Sequence, residues 1–420
     1  MRLRASRTAI LVLAFGVFAG SWGVLHTSPF RVWIRGDILF YDNWGTWIAG
    51  HLLPYGDFKL EYPPGSIPVF ALPVYLRKLA GYHWFYPTWF RMEMLACGLL
   101  MLAGMALALR AMRASTRRFA GALFFAALSP LALGPVSIAR YDLVPAMITA
   151  FAVAALVSRH DRLAMLAIAL GAVVKLYPAV LLPIVLVDAW RRRGRRGVVE
   201  SLAIFVVVLV AAFAPFLALT PHGIAASVRG QAGRPLQIES IGAAAFLAAH
   251  QIAGTYVRVV ESHGSDNIVG SAPKTVATLC AALVVVALVG VWIVYARRKG
   301  GPEETLAACA AAVTAYIAFN KVFSPQYLVW LVPLVPLVRG RRGLWASVLL
   351  GLSLLLTQLW EPYSYVHLIT RLDAQVSWFV VVRDLVVLGM FAVLLAPEQL
   401  VDRYAQRFAA RRAPVVTALD

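Results

Sequence analysis

Runs of about twenty apolar residues recur from one end of the chain to the other, separated by short polar tracts. Wound as a helix, each run is long enough to cross a hydrocarbon core of roughly 30 Å. The pattern predicts spans at residues 8–26, 85–111, 119–138, 141–157, 198–219, 275–295, 304–319, 322–338, 344–359 and 376–395. Residues 163–190 are apolar as well but are broken at Lys175-Leu-Tyr-Pro178, which predicts a discontinuous helical hairpin. Two stretches fit a different role. Residues 37–53 put Phe40, Trp44, Trp47 and Ile48 on one side of a helix, the pattern of a helix lying in the membrane interface. Residues 65–79 are apolar but short, and predict a second surface or re-entrant helix. The fold class is an all-α polytopic membrane protein.

Basic tracts set the orientation. Arg2, Arg4 and Arg7 precede the first span, and further tracts lie at 191–196, 297–299, 339–342 and in the tail from Arg403. With about twelve crossings and both termini cytoplasmic, every tract falls inside, as the positive-inside rule requires. A cleaved signal peptide is the competing reading of the N-terminus. The apolar run is long for one and no small-x-small site follows, so a retained helix is expected. The first loop, 27–84, and the longest hydrophilic insert, 220–274, then lie outside, the insert with a short helix at 241–253. Together they divide a single domain, 1–420, into an N-terminal module (1–219), the insert, and a C-terminal helical module (275–420).

Composition narrows the class. A chain with 61% hydrophobic and 14% charged residues and a mean hydropathy of +0.75 is not a soluble globular protein. A net charge of +19 would point to nucleic acid in a soluble chain. Here the basic residues sit between apolar runs, so membrane lipids are the expected partners and nucleic acid is not. Cys97, Cys280 and Cys309 all fall inside apolar runs, which excludes a disulfide framework or a thiolate metal site. The Ala, Val, Leu and Arg richness fits a bacterial plasma membrane.

Acidic residues are scarce, yet four of the twenty (Asp37, Asp42, Asp57 and Glu61) fall in the first external loop beside Tyr41, Trp44, Trp47, Tyr55 and Tyr62. Carboxylates next to aromatic rings at the water edge of a membrane can hold a sugar and take a proton from it. Cations converge on the same side: Arg140 beside Asp142, Lys175, Lys321, and Arg234 beside Glu239 in the insert. Ionisable groups at membrane depth face a cavity or a partner, and such cations can neutralise a lipid-linked phosphate. Simpler roles remain open for each. Arg140 can pair with Asp142 as Arg383 can with Asp384, Lys175 and Lys321 can snorkel to the interface, the rings can form an aromatic belt, and Asp57, Lys59 and Glu61 can form a solvated turn. No P-loop, HExxH, GxSxG, Cys/His cluster or Asp-x-Asp pair is present, so nothing in the chain calls for a metal or cofactor.

The motifs DILFY (37–41), PYGDFKLEYPP (54–64), RYDLVPA (140–146), KLYP (175–178), RPLQIES (234–240) and FSPQYLVWLVP (323–333) come in a fixed order. Together they resemble glycosyltransferase family 87, the polyprenol-phosphate-mannose-dependent α-(1→2) mannosyltransferase-like members of the GT-C superfamily, from the first span to about Pro336. The resemblance implies a multi-span enzyme that takes a sugar from a polyprenyl-phosphate donor outside the membrane and passes it to a glycolipid or glycan. It implies a catalytic Asp just before a hydrophobic-Tyr pair, a position matched by Asp37, with Asp42 as the rival, and a donor that needs no metal. It leaves Arg140, Lys175, Lys321 and Arg234 for the donor phosphate. For the substrate it leaves Tyr41, Trp44, Trp47, Glu61, Tyr62, Asp142, Tyr177, Gln237, Glu239, Gln326 and Tyr327. A transporter or flippase of about twelve spans is the rival from another class, although the two halves carry no repeat and the polar residues gather on one side. A non-catalytic partner of an envelope-assembly complex is a third reading, but it would be expected to lack the loop carboxylates.

Overall fold

The computed structural model describes residues 2–28, 30, 37–81 and 85–397, with the side chains of residues 2–5 outside the described set. The basic side chains of Arg2 and Arg4 and the tail from Arg403 therefore lie outside the described residues.

The described N-terminal part is mostly helical. It comprises α1 (Arg2–Val24), α2 (Ile38–Ala49), α3 (Ile67–Leu79), α4 (Tyr86–Ala111), α5 (Thr116–Leu133), α6 (Val136–Ala139), α7 (Leu143–Val157), α8 (Asp161–Val174) and α9 (Leu182–Leu219). The insert holds α10 (Pro221–Ala232), β1 (Leu236–Gln237), α11 (Ile241–Ala253), β2 (Val259–Ser262) and β3 (Ser265–Ile268). The chain continues through α12 (Ser271–Arg297), α13 (Pro302–Ala318), α14 (Gly340–Gln358), α15 (Tyr365–Arg371) and α16 (Ala374–Leu395). Five stretches among the described residues are long and apolar enough to cross a membrane: 6–24, 86–111, 177–219, 271–297 and 374–395. This is a multi-pass membrane protein.

Local chemistry sets the boundaries. The Ser115 hydroxyl accepts from the Arg118 amide at 3.3 Å to start α5, and Gly134, at a φ of 76°, ends it ahead of Pro135. The Ser240 hydroxyl caps α11 by accepting from Ala243, and Gly254 closes it in the left-handed region. Within the basic run that joins the two halves of α9, Gly194 takes a φ of 58°, and the chain turns there.

The core lies where α4 packs on α7, α7 on α8, and α13 and α14 on α16. Small residues bring backbones together at two points that matter for the site. A Cβ at Gly45 would lie 2.1 Å from the Phe70 carbonyl, so this glycine lets α2 sit directly on α3. A Cβ at Gly65 would lie 2.5 Å from the Val173 carbonyl, so the Tyr-Pro-Pro-Gly corner rests on the end of α8 beside Lys175.

Two expectations change. Residues 322–338 form no continuous α-helix; they fold as two 3₁₀ stretches, Pro325–Leu331 and Val335–Leu337. Pro325, Pro333 and Pro336 each remove a backbone donor, and short 3₁₀ turns tolerate this where an α-helix does not. The insert is also more ordered than one helix. Its strands form an antiparallel sheet in the order β1-β3-β2, with Glu261 opposite Asp266 and Ser262 opposite Ser265. The β2–β3 turn is His263-Gly264, both at positive φ (54° and 65°), which matches the twist of a two-residue hairpin.

Candidate active site

A cavity of about 750 Å³ opens where the first loop, the break between α8 and α9, the insert and the 3₁₀ segment meet. Twelve of the residues singled out in the sequence line it: Asp37, Glu61, Tyr62, Arg140, Lys175, Tyr177, Arg234, Gln237, Glu239, Lys321, Gln326 and Tyr327. They come from six separate segments of the chain. Their convergence is what the fold contributes.

Asp37 immediately precedes α2, and its carboxylate is ion-paired with the Arg140 guanidinium. The Tyr41 hydroxyl, one helical turn on, lies 3.5 Å from the same carboxylate. Both members of the ion pair are about a quarter exposed (23% for Asp37, 27% for Arg140), so the carboxylate faces the cavity and is not sealed behind it.

The Arg-Tyr-Asp tripeptide sends its three side chains to three places. Arg140 meets Asp37. Tyr141 is buried with its ring edge against Tyr62 (4.9 Å between centroids), Phe70 (5.3 Å) and Tyr41 (5.7 Å). Asp142 is buried and accepts from Lys175 Nζ and from Trp330 Nε1, each at 2.7 Å. Arg140 and Asp142 therefore do not pair with each other. Lys175 does not snorkel; its ammonium sits over the Tyr141 ring at 4.5 Å and within 6 Å of Trp330, Tyr62 and Tyr327. Tyr177 and Tyr327 both stack on the Trp330 ring of this cage, at 4.2 and 4.0 Å.

Two of the four cations are thus engaged with carboxylates. The other two have none among the described residues. Arg234 donates to the Ser265 hydroxyl at 2.9 Å and keeps a buried Nε with no hydrogen-bond partner. Lys321 donates to the Ala232 carbonyl at 2.7 Å, which holds the 3₁₀ segment against the end of α10.

Part of the lining is acidic. Glu239 is buried and accepts from the Gln237 amide, and its carbonyl accepts from Arg383 Nη2 at 2.6 Å. Burial, with Glu361 adding to it, pushes the Glu239 carboxyl well above its usual range against the opposing pull of Arg383 and Arg140. Burial likewise pushes Glu361 up to about 7, opposed by Arg140 and Arg383. Glu261 and His263 come from the hairpin, and Asp266 accepts from the Tyr365 hydroxyl at 2.9 Å. Six carboxylates (Asp37, Glu61, Glu239, Glu261, Asp266 and Glu361) and four cations line the cavity of a chain with a surplus of nineteen positive charges. Of these acids, Glu261, Asp266 and Glu361 escaped the sequence reading. The hairpin signal Ser-His-Gly-Ser and the acid at Glu361-Pro362 were the clues available.

Five singled-out residues stand elsewhere. Asp42 follows Asp37 by five positions, about 140° round a helix; it accepts from Thr46 at 3.3 Å and is not part of the lining. Tyr41 is buried, stacked on Phe70 at 4.8 Å. Trp44 packs edge-on against Tyr62 at 5.7 Å, and Trp47 against Phe58 at 5.1 Å. Asp142 lies behind the wall. The Arg383–Asp384 pair forms inside α16 at 2.7 Å, and Lys59 pairs with Glu61 at 3.3 Å. Among the described residues no cluster of three or more His, Cys, Asp or Glu has the arrangement of a metal site.

Comparison with known proteins gives three findings. The model of glycosyltransferase family 87 matches residues 60–325. No curated protein matches. Among solved structures, ArnT from Cupriavidus metallidurans bound to undecaprenyl phosphate is similar at 15% identity and a TM-score of 0.48, over 96% of this chain and 80% of that one.

Proposed function

We propose, from the premise that this chain belongs to glycosyltransferase family 87, that it moves a sugar from a polyprenyl-phosphate donor to a hydroxyl of a glycolipid or glycan. The sugar we propose is mannose, transferred in a single displacement with inversion. The observation that carries the reading is Asp37, held between Arg140 and Tyr41 on the wall of a cavity that also offers two cations without carboxylate partners among the described residues.

In this reading Asp37 is the general base. Its carboxylate takes the acceptor hydroxyl proton as the oxygen attacks the anomeric carbon, and the lipid phosphate departs with the bonding pair. A positioned base of this kind contributes on the order of 10²–10⁴-fold. Arg140 orients the carboxylate and contributes to the phosphate less directly than its sequence position suggests. Arg234 and Lys321 meet the phosphate as its charge develops, which is where fixed cations act most strongly. Lys175 and Asp142 hold the aromatic floor on which Tyr177 and Tyr327 sit. Glu61, Tyr62, Gln237, Glu239 and Gln326 offer the polar contacts for sugar hydroxyls. Nothing in this scheme uses a metal.

The topology we propose has about twelve crossings, with the termini and basic tracts cytoplasmic, the cavity on the external face of a bacterial plasma membrane, and α2 and α3 in the external interface. One membrane domain then carries an N-terminal module to residue 219, the insert to 274 and a C-terminal module beyond.

The test is transfer from labelled polyprenyl-phosphate-mannose by purified protein, with Asp37→Asn, Asp42→Asn and an EDTA arm. Loss with Asp37→Asn alone, donor binding being retained, supports the base. Loss only with Asp42→Asn moves the base to the far side of α2. EDTA sensitivity contradicts the metal-free scheme. No transfer by wild type across a panel of donors and acceptors, together with substrate movement into vesicles, favours the transporter.

A further inference from the structure

At the end of the molecule away from this cavity, α5 and α14 enclose a second recess of about 1090 Å³. Both helices begin at its mouth, where Arg117 and Arg118 stand in the first turn of α5 and Arg339 immediately precedes α14. Both also lead to the catalytic cavity. Their far ends touch where a Cβ at Gly134 would meet Gln358 at 3.2 Å, and Arg140 and Glu361, just beyond, line the cavity wall.

The mouth is basic. Arg118 is committed to Glu303 through two bonds of 2.6 and 2.7 Å. Glu303 is the one carboxylate in the lining among the described residues, and Arg118 occupies it. Arg113, Arg117 and Arg339 make no side-chain bond to any described residue. The starts of two parallel helices add their partial positive charge at the same place.

Behind the mouth the recess is apolar. Leu344, Val348, Leu352 and Leu355 line it and are 42–62% exposed, so no described residue covers them fully. A Cβ at Gly121 would meet nothing within 4 Å, and at Gly351 only the Phe125 ring, from 3.5 Å. The wall is therefore hollowed along both helices. From Gly340 to Leu355 it runs about 22 Å, more than the roughly 15 Å that one leaflet contributes to the hydrocarbon core.

We infer that this recess binds an anionic phospholipid, its phosphate among Arg113, Arg117 and Arg339 and an acyl chain along Gly121 and Gly351. A basic mouth continuous with an apolar slot between membrane helices recognises both halves of such a lipid. A zwitterionic lipid satisfies only the slot. A soluble anion satisfies only the mouth. The inference does not depend on the transferase reading, since none of these residues lines the catalytic cavity.

The experiment is native mass spectrometry of the intact protein in neutral detergent, titrated with phosphatidylglycerol or phosphatidylcholine. Phosphatidylglycerol should be retained at about tenfold lower concentration or better than phosphatidylcholine. The triple variant Arg113→Gln/Arg117→Gln/Arg339→Gln should erase that preference, and the triple Lys variant should keep most of it. Gly121→Leu, which fills the slot and leaves every charge, should also weaken retention, and it carries the test if the triple variant fails to fold. Equal retention of the two lipids by wild type overturns the site. So does a wild-type preference in the Gln variant, or an unchanged Gly121→Leu protein, which would leave only a charged surface. A dimer that disappears in Gly121→Leu with no lipid bound assigns the recess to a second copy instead.

Discussion

Two ion pairs stand within one tripeptide of each other and differ in what surrounds them. Asp37–Arg140 is about a quarter exposed and opens on the cavity, whereas Asp142–Lys175 is nearly sealed, with side-chain exposures of 2% and 11%. Asp142 also accepts from Trp330, and Lys175 is wrapped in rings, so each buried charge has several partners. A buried pair contributes little net stability, but removing one member strands the other in a low dielectric. An exposed carboxylate has no such obligation and is free to exchange a proton with a substrate. Both pairs belong to one acid-poor chain; only their surroundings tell them apart.

The largest effect expected from this contrast is on the exposed pair. Asp37→Asn should cut transfer by on the order of 10²–10⁴-fold while the melting temperature moves little. A variant that loses both would make Asp37 a second structural group. Lys175→Met should do the reverse. Stranding Asp142 beneath the aromatic floor should cost on the order of 3–5 kcal/mol, read as a large drop in melting temperature with activity lost in proportion to folded protein. If Lys175→Met folds normally and fails only in donor binding, the sealed pair belongs to the site.

A smaller effect separates the cations. Arg234→Gln/Lys321→Gln removes the two that lack carboxylate partners and should raise the KM for donor or lower kcat by about tenfold or more, the scale of one charge-assisted contact per residue. The same double variant should leave the thermal midpoint nearly unchanged, because each side chain makes one hydrogen bond to the described residues.

How much of this was legible beforehand depends on how local the cause is. α11 is read correctly to the residue because its signals are its own: Ser240 before the apolar run and Gly254 after it. The long apolar helices are equally self-announcing. The stretch 322–338 misleads, since its hydropathy is that of a span while its three prolines dictate 3₁₀ turns. The residues on α2 show a different limit. Asp37 and Asp42 share composition, loop and neighbours, and the choice between them rests on which way one short helix is turned. That rotation is decided by Gly45 against Phe70, a contact between segments that no local pattern announces. The acids at 261, 266 and 361 reach the cavity through a hairpin and a helix end for similarly non-local reasons.

On the acidic wall a pH dependence should follow. Glu361 ionises near 7 in the folded protein but at the ordinary carboxyl value once unfolded, so the folded state holds a proton that the unfolded chain has released. Stability must then fall as pH rises from about 4.5 towards 7, by a few kcal/mol at most. Glu361→Gln should flatten that slope in a thermal-melt series. A slope that persists unchanged shifts the titration to Glu239, whose carboxyl burial also raises well above its usual range.

The smallest effect belongs to Asp42, and it is the sharpest control on the comparison. Its carboxyl is partly buried and raised from its usual range by that burial, with Thr46 and Arg77 pulling the other way. Asparagine keeps the shape and still accepts from Thr46 while removing a charge that the site only partly solvates. Stability should therefore change by no more than about 0.5 kcal/mol, and transfer should stay within about twofold of wild type. The two aspartates lie five residues apart and differ in what they face, Asp37 meeting Arg140 and the cavity and Asp42 meeting Thr46. If Asp42→Asn abolishes transfer while Asp37→Asn does not, α2 must present its other face to the substrate during turnover. The Asp37–Arg140 pair would then join Asp142–Lys175 as scaffold.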